Sequence, residues 1–322
     1  MSERLSPGRE NLPSIKRKDV LGQEGQLPSS VDFMLLGKCN LACSFCFGPQ
    51  HEMSSMPTEK IKSVIKTLSR NGVERIVFTG GEPTLIKDLP EILSDAKKEG
   101  LFTVLSTNGL ALDSDKNLLG KLAPSLDWIA LPLDGSTLEV NSKMRVGLTP
   151  DSRPKHFDSV FKVFERIRRE YPQLKIKLGT VVAKPNLEDV QNIPFLLQKY
   201  GAIPDTWKLY QVSPSEYGRI NYPELEIGDR EFRYTVIKAR RNAEKAGIKH
   251  VVEYSNATRP GKYLFINPVG EVLIVHPEEN DYRSIGNILF TPEKVFSNWK
   301  KHVDQNLLQK NFEETYSTSA SL

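Results

Sequence analysis

The sequence predicts an α/β protein: a parallel sheet with crossover helices, followed by a small C-terminal α+β cap. Three observations carry that expectation. Short apolar runs and amphipathic stretches alternate six times between residues 31 and 212, and the connections between them are short. Beyond residue 228 the alternation gives way to one charged helix and a pair of strands flanking a turn. Parallel neighbours require crossovers, and crossovers are right-handed, so such an alternation reads as a parallel sheet. Periodicity alone does not say whether the sheet closes.

Residues 1–30 hold Pro, Gly, Ser and many charges without periodic apolar spacing, and read as a flexible N-terminal arm. The first strand is the apolar run Val31–Gly37. A helix opens at Pro57-Thr58-Glu59 and repeats Ile61, Val64, Ile65 and Leu68 at helical spacing until Gly72 closes it. Then come a strand at Arg75–Thr79, a helix at Asp88–Lys98, a strand at Leu101–Thr107, a short helix near Ser114–Leu122 and a strand at Leu126–Leu133. A longer helix over Lys155–Glu170 leads to strand Lys175–Val182, helix Leu187–Lys199 and, after the breaker Gly201-Ala202-Ile203-Pro204, a sixth strand at Thr206–Val212. The cap is read as a helix at Asp229–Ala246, a strand at Lys249–Glu253, and strands Tyr263–Asn267 and Glu271–His276 around Pro268-Val269-Gly270. This divides the chain into an arm (1–30), a barrel-sized unit (31–228) and a cap (229–322).

The chain has 322 residues, 44 basic and 40 acidic, a net charge of +4 with the charges scattered. Bulk nucleic acid is therefore not an expected partner, whereas a small anionic substrate remains open. No segment approaches the apolar length of a signal peptide core or a membrane span, so a cytoplasmic protein without membrane contact is expected. All three cysteines fall within eight residues. A secreted fold would spread an even number to close loops; this cluster suggests a metal or cluster site in a reducing compartment.

The cysteines form Cys39-Asn-Leu-Ala-Cys43-Ser-Phe-Cys46-Phe47, a C-x3-C-x2-C loop directly after the first strand. Three thiolates on an iron–sulfur cubane leave one iron open to an outside molecule. The alternative is a zinc knot with His51 as fourth ligand, because structural zinc prefers four protein ligands. His156 and His276 read as surface groups. The second strand ends in Gly80-Gly81-Glu82-Pro83, where glycines admit close backbone approach and a carboxylate can accept from an ammonium.

The cysteine loop with an aromatic before its third cysteine, followed by a G-G-E-P turn, resembles the radical S-adenosylmethionine (SAM) superfamily over roughly residues 31–213. The resemblance implies a partial (βα)6 TIM-like barrel and a [4Fe–4S] cluster on Cys39, Cys43 and Cys46. It also implies bound SAM, whose cleavage yields a 5′-deoxyadenosyl radical, and an external one-electron reductant such as flavodoxin or ferredoxin. By the same resemblance Phe45 packs near adenine, and Gly80, Gly81 and Glu82 meet the methionine amino group. Ser106 or Asn108 meets the ribose, and Asp134 and Arg145 meet the ribose and the methionine carboxylate.

Within the superfamily the chain is most similar to the viperin family of nucleotide dehydratases, and more distantly to the molybdenum-cofactor GTP cyclases. Leu126–Ala130, Lys177, Thr180–Val182, Asn186 and Trp207–Gln211 carry that similarity. It implies that Lys208 and Gln211 face a small substrate, with Lys208 as a phosphate or carboxylate binder. The chain departs from the viperin pattern at Thr206, where an arginine is common, at Gly179, where an asparagine is expected, and at Arg75, where a lysine is expected. Those departures and the cysteine-free hairpin at Arg259–Gly270 favour an alternative, radical tailoring of a peptide or natural product. An auxiliary cluster built on this chain's own cysteines is ruled out by count, because the first cluster would use all three thiols.

Overall fold

The computed structural model describes residues 27–46, 53–148, 153–214, 216–276 and 282–316. Residues 1–26 of the arm, Phe47 and His51 lie outside the described residues. The barrel strands are β1 (Ser30–Met34), β2 (Arg75–Thr79), β3 (Phe102–Ser106), β4 (Trp128–Pro132), β5 (Lys175–Val182) and β6 (Thr206–Gln211). They are followed by β7 (Val251–Tyr254), β8 (Leu264–Ile266), β9 (Glu271–Val275) and β10 (Tyr282–Asn287). Among the α-helices, the crossovers contain α1 (Thr58–Arg70), α2 (Leu89–Lys98), α3 (Leu110–Ser114), α4 (Leu118–Leu122), α5 (Leu138–Met144), α6 (Arg153–Glu170) and α7 (Ile193–Lys199). Then come α8 (Tyr222–Leu225), α9 (Asp229–Lys245), α10 (Pro292–Asn298) and α11 (Gln305–Tyr316).

All ten strands form one sheet in the order β10-β9-β8-β1-β2-β3-β4-β5-β6-β7. The run from β8 to β7 is parallel throughout, and only β9 and β10 pair antiparallel. Residues of all eight parallel strands, from Asp32 on β1 to Phe265 on β8, line one cavity, so the sheet wraps around a lumen. Its parallel run stays open between β7 and β8, which are not neighbours in the sheet. The strands beyond residue 228 thus make no sheet of their own. Those of the C-terminal segment extend the barrel at both edges, β7 on β6 and β8 on β1.

The helices form where the apolar period demands it. On α1, Ile61, Val64, Ile65 and Leu68 are all buried, on α2 Leu89, Ile92, Leu93 and Ala96, and each large apolar side chain contributes about 1.5–3 kcal/mol of burial. Both helices run out into left-handed glycines, Gly72 (φ 99°) and Gly100 (φ 75°). The expected helix near 114–122 is two short ones, α3 and α4, separated where Asp115 Oδ1 accepts from the Asn117 N–H at 2.8 Å.

α11 lies at the amino-terminal end of the barrel strands. Gln309 accepts from Arg75 at 2.5 Å and from Ser29 at 3.1 Å, and the Arg75 guanidinium lies 4.7 Å from the Phe312 ring centroid. Tyr316 packs edge-on to Trp128 at 5.3 Å, beside buried Val77 and Val104. Among the described residues no helix is long and apolar enough to cross a membrane.

At the opposite, carboxyl end, the turn after β2 lies against the chain leaving β1. The Gly81 N–H donates to Leu36 O at 2.6 Å and the Glu82 N–H to Lys38 O at 2.9 Å. A Cβ on Gly81 would sit 2.2 Å from Lys38 O and 2.3 Å from Gly37 O, a backbone clash that no rotamer relieves. At Gly201 (φ +63°) a Cβ would meet nothing within 4 Å. Gly81→Ala is therefore expected to cost ~2 kcal/mol or more, as overpacking does. Gly201→Ala costs only the ~1 kcal/mol of left-handed backbone strain. Urea unfolding of the two variants reads the difference directly.

Candidate active site

The loop from Leu36 to Cys46 is pinned on both flanks. The Ala42 N–H donates to Val146 O at 2.7 Å, Leu41 bridges to Gly147, and Asn221 donates to Ser44 O at 3.1 Å. Within it the Leu41 N–H points at Cys39 Sγ at 3.4 Å, and Cys43 Sγ lies 3.9 Å from an Arg145 guanidinium nitrogen. Burial pushes the Cys39 thiol up to about 12 and the Cys43 thiol up to about 11, with the Leu41 amide and Arg145 pulling the other way. All three sulfurs line the same cavity.

These residues fit an iron–sulfur cluster. The donor set is three soft thiols on one short loop with a cation beside them, and a metal deprotonates a coordinating thiol outright. Among the described residues no three His, Cys, Asp or Glu side chains gather as ligands around a single ion.

Two buried carboxylates brace this end of the cavity. Glu82, 1 % exposed, accepts through Oε1 from the Thr84 N–H and hydroxyl (3.1 and 2.5 Å) and the Thr107 hydroxyl (2.6 Å), and through Oε2 from the Asn108 N–H (2.7 Å). Its side chain ties the β2 turn to the β3 turn. Asn108 in turn donates to Asn40 Oδ1 at 2.6 Å, inside the cysteine loop. Asp134, fully buried, accepts from Arg145 Nε at 2.5 Å and from the Val181 N–H at 2.7 Å. Arg145 is thereby held over the Phe45 ring, 4.8 Å from its centroid. Asp134 and Cys43 keep this guanidinium charged against the cost of its burial.

Behind Asp134 its own N–H donates to Asn141 Oδ1 at 3.0 Å, and Asn141 Nδ2 lies 3.2 Å from His156 Nδ1. His156 is fully buried, which corrects its reading as a surface group. The first turn of α6 packs on α5, and burial lowers this imidazole to about 3, keeping it neutral.

The cavity measures about 280 Å3, and every predicted site residue except Asp134 borders it. Cys39, Cys43, Phe45, Cys46, Gly80, Gly81, Glu82, Ser106, Asn108 and Arg145 surround its upper part. Asp134 is turned away because its oxygens serve Arg145 and β5. Lys208 sits lower, on β6, and Gln211 ends that strand. Gln211 bridges loops, donating to Ile227 O (3.2 Å) and Asp229 (3.0 Å) and accepting from the Asn256 N–H (3.0 Å). Lys208 is 1 % exposed and donates to Asn311 at 2.9 Å, Thr315 at 2.8 Å and Tyr263 at 3.2 Å.

Sequence reasoning missed Asp32, Tyr254 and Tyr263. Asp32 stands at an inward position of β1, a carboxyl in an apolar run and the one signal that could have revealed it. Burial pushes it up to about 7, with Lys177 and Lys208 pulling it back.

An eight-stranded parallel run around a cavity, with a three-cysteine loop and a glycine turn at the carboxyl ends of its first two strands, defines a barrel enzyme with a metallocluster-type loop. The sequence profile described as "Radical SAM superfamily" matches residues 34–196, and the chain belongs to that superfamily. It is 30% identical over 252 residues to an S-adenosylmethionine-dependent nucleotide dehydratase of Lacinutrix mariniflava, spanning 75% of this chain and 49% of that protein. The chain thus spans about half the length of that relative. It is also 30% identical to the enzyme of the same name from Flammeovirga pacifica, over 75% of this chain and 80% of that one. A GTP 3',8-cyclase of Chlorobaculum tepidum is 29% identical over 54% of this chain and 51% of its own. Solved structures share the fold: anSMEcpe with bound AdoMet and a peptide (TM-score 0.63, 17% identity, 85% of this chain, 82% of that one). SuiB of Streptococcus suis bound to its precursor peptide does so too (TM-score 0.62, 16% identity, 88% and 66%).

Because burial raises Asp32 to about 7, the native state binds a proton that the unfolded chain releases near 4, and wild-type stability falls as pH rises between these values. Asp32→Asn removes that dependence. Its stability relative to wild type is expected to grow from pH 4 to pH 7, by at most ~4 kcal/mol, and to stay level above, measured by urea unfolding across pH.

Proposed function

We propose that this protein is a radical SAM enzyme that acts on a nucleotide or nucleoside. One observation carries the reading: the three thiols, the Gly80–Glu82 turn, the Ser106–Asn108 turn and Arg145 converge on one cavity at the carboxyl ends of the strands, continuous with the barrel lumen. Cys39, Cys43 and Cys46 would hold a [4Fe–4S] cluster, which supplies the electron that cleaves SAM to the 5′-deoxyadenosyl radical used for hydrogen abstraction. The chain's own residues orient the reactants. The backbone of Gly80 and Gly81, free of any Cβ, lets the methionine end approach the loop, and Arg145, fixed by Asp134, presents a cation to its carboxylate. Phe45 offers an apolar face to adenine, and Ser106 and Asn108 face the ribose. The buried walls exclude water that would quench a radical.

The nucleotide assignment is supported by relatives over three quarters of the chain that are named nucleotide dehydratases. Substrate would lie below SAM, above a floor bordered by Asp32, Lys177 and Tyr210. Anaerobic reconstitution with iron and sulfide, reduction by dithionite and chromatography for 5′-deoxyadenosine test the reading. Wild type is expected to form it from SAM, and Cys43→Ala to lose at least a hundredfold, about 2.7 kcal/mol in the rate barrier. Zinc without iron or sulfide, and no cleavage, would overturn it.

A further inference from the structure

The lower end of the cavity carries Lys208, the most deeply buried cation among the described residues. The Lys208 ammonium has three N–H donors, and three oxygens accept from it: Asn311 Oδ1 at 2.9 Å, Thr315 Oγ1 at 2.8 Å and Tyr263 OH at 3.2 Å. The rings of Tyr210, Tyr254 and Tyr263 surround it, with centroids 5.4, 5.2 and 5.7 Å away. Its donor capacity is therefore complete without any ligand. Lys177, two strands' width from β7 and also on the lumen face, is met at 3.0 Å by the Tyr316 hydroxyl and at 3.3 Å by that of Tyr210. Asn311, Thr315 and Tyr316 all belong to α11. The helix therefore engages Lys208 and Lys177, two of the three lysines that line the cavity, from below, in the places where the oxygens of an anionic group entering from above would have to go; the third, Lys262, lies 5.7 Å from the Tyr254 ring centroid.

We propose that α11 is the specificity element of this cavity. It occupies Lys208 and Lys177 and closes the floor to a polyphosphate chain, so the substrate is a nucleoside or nucleotide without one. This rests on the nucleotide reading above and narrows it. Beside this geometry, burial and the neighbouring Lys177 hold the Lys208 amine well below the usual lysine range. Asp32 adds a carboxyl to the same floor and would repel a descending phosphate when ionised.

The test titrates inorganic tripolyphosphate into the full reconstituted chain by calorimetry, a readout independent of radical chemistry. Wild type is expected to show no saturable binding below the millimolar range. Asn311→Ala with Thr315→Ala is expected to bind at least tenfold more tightly, and adding Lys208→Met to that pair should abolish the gain. Tyr316→Phe, which keeps the ring packing and removes only the hydroxyl on Lys177, should give a smaller gain in a protein whose unfolding midpoint stays near wild type. Micromolar binding by wild type that Lys208→Met removes would overturn the proposal, as would folded α11 variants with no gain. Loss of 5′-deoxyadenosine formation in wild type would instead sink the radical reading, and leaves these binding outcomes unchanged.

Discussion

A lysine ammonium buried without a carboxylate in hydrogen-bonding reach is among the costliest arrangements a fold can hold, several kcal/mol before compensation. Lys208 is in that position among the described residues, and much of the lower barrel is arranged around it. Neutral oxygens take its three protons and tyrosine faces offset the lost hydration. Two of those oxygens come from Asn311 and Thr315, about one turn apart on the same face of α11. α11 is thereby held across the lower end of the lumen. Gln309 fastens it to Arg75 and Ser29, and Tyr316 completes the apolar cluster of Val77, Val104 and Trp128. The depth of the cavity follows from where this helix stops.

The upper end obeys the same rule with opposite charge. Glu82 and Asp134 are both buried carboxylates, and neither offers a free oxygen to the cavity. Each accepts from backbone N–H groups at the end of the next strand, and thereby fixes the spacing of neighbouring strand ends. The upper cavity is lined by the three thiols and backbone together with Phe45, Ser106, Asn108 and Arg145, a surface suited to soft metal and to the polar end of a small molecule.

The barrel half of the fold was legible because its period is regular. Strands β1 to β6 and helices α1, α2, α6, α7 and α9 stand close to where alternation and apolar spacing put them, and local spacing was enough to find the cysteine loop and Gly80–Glu82. What escaped was whatever depended on distant partners. α11 buries Asn311 and Thr315 along with Leu308 and Phe312, so its inner face is half polar and its apolar period is broken. A helix designed to meet lysines does not look amphipathic. His156 was misjudged for a related reason, since its partner Asn141 lies on another helix and polar residues are read as exposed until a partner is known. Asp134 was legible as important but not in its role, because a carboxylate at a strand end can turn toward the ligand or back into the sheet, and only the Val181 amide decides which.

The pairing of β1 with β8 has a consequence for how the chain is made. The inner edge of β1 faces β2 about 45 residues downstream, but its outer edge waits for Asp32 to meet Phe265, roughly 230 residues later. During synthesis the first strand of the barrel is an open edge while most of the polypeptide emerges, and exposed strand edges recruit wrong partners. Closure at such sequence distance is entropically slow. The nascent protein therefore passes through a long interval in which the cysteine loop hangs from a half-paired strand, and assistance during that interval would matter more to its yield than the stability of the finished barrel.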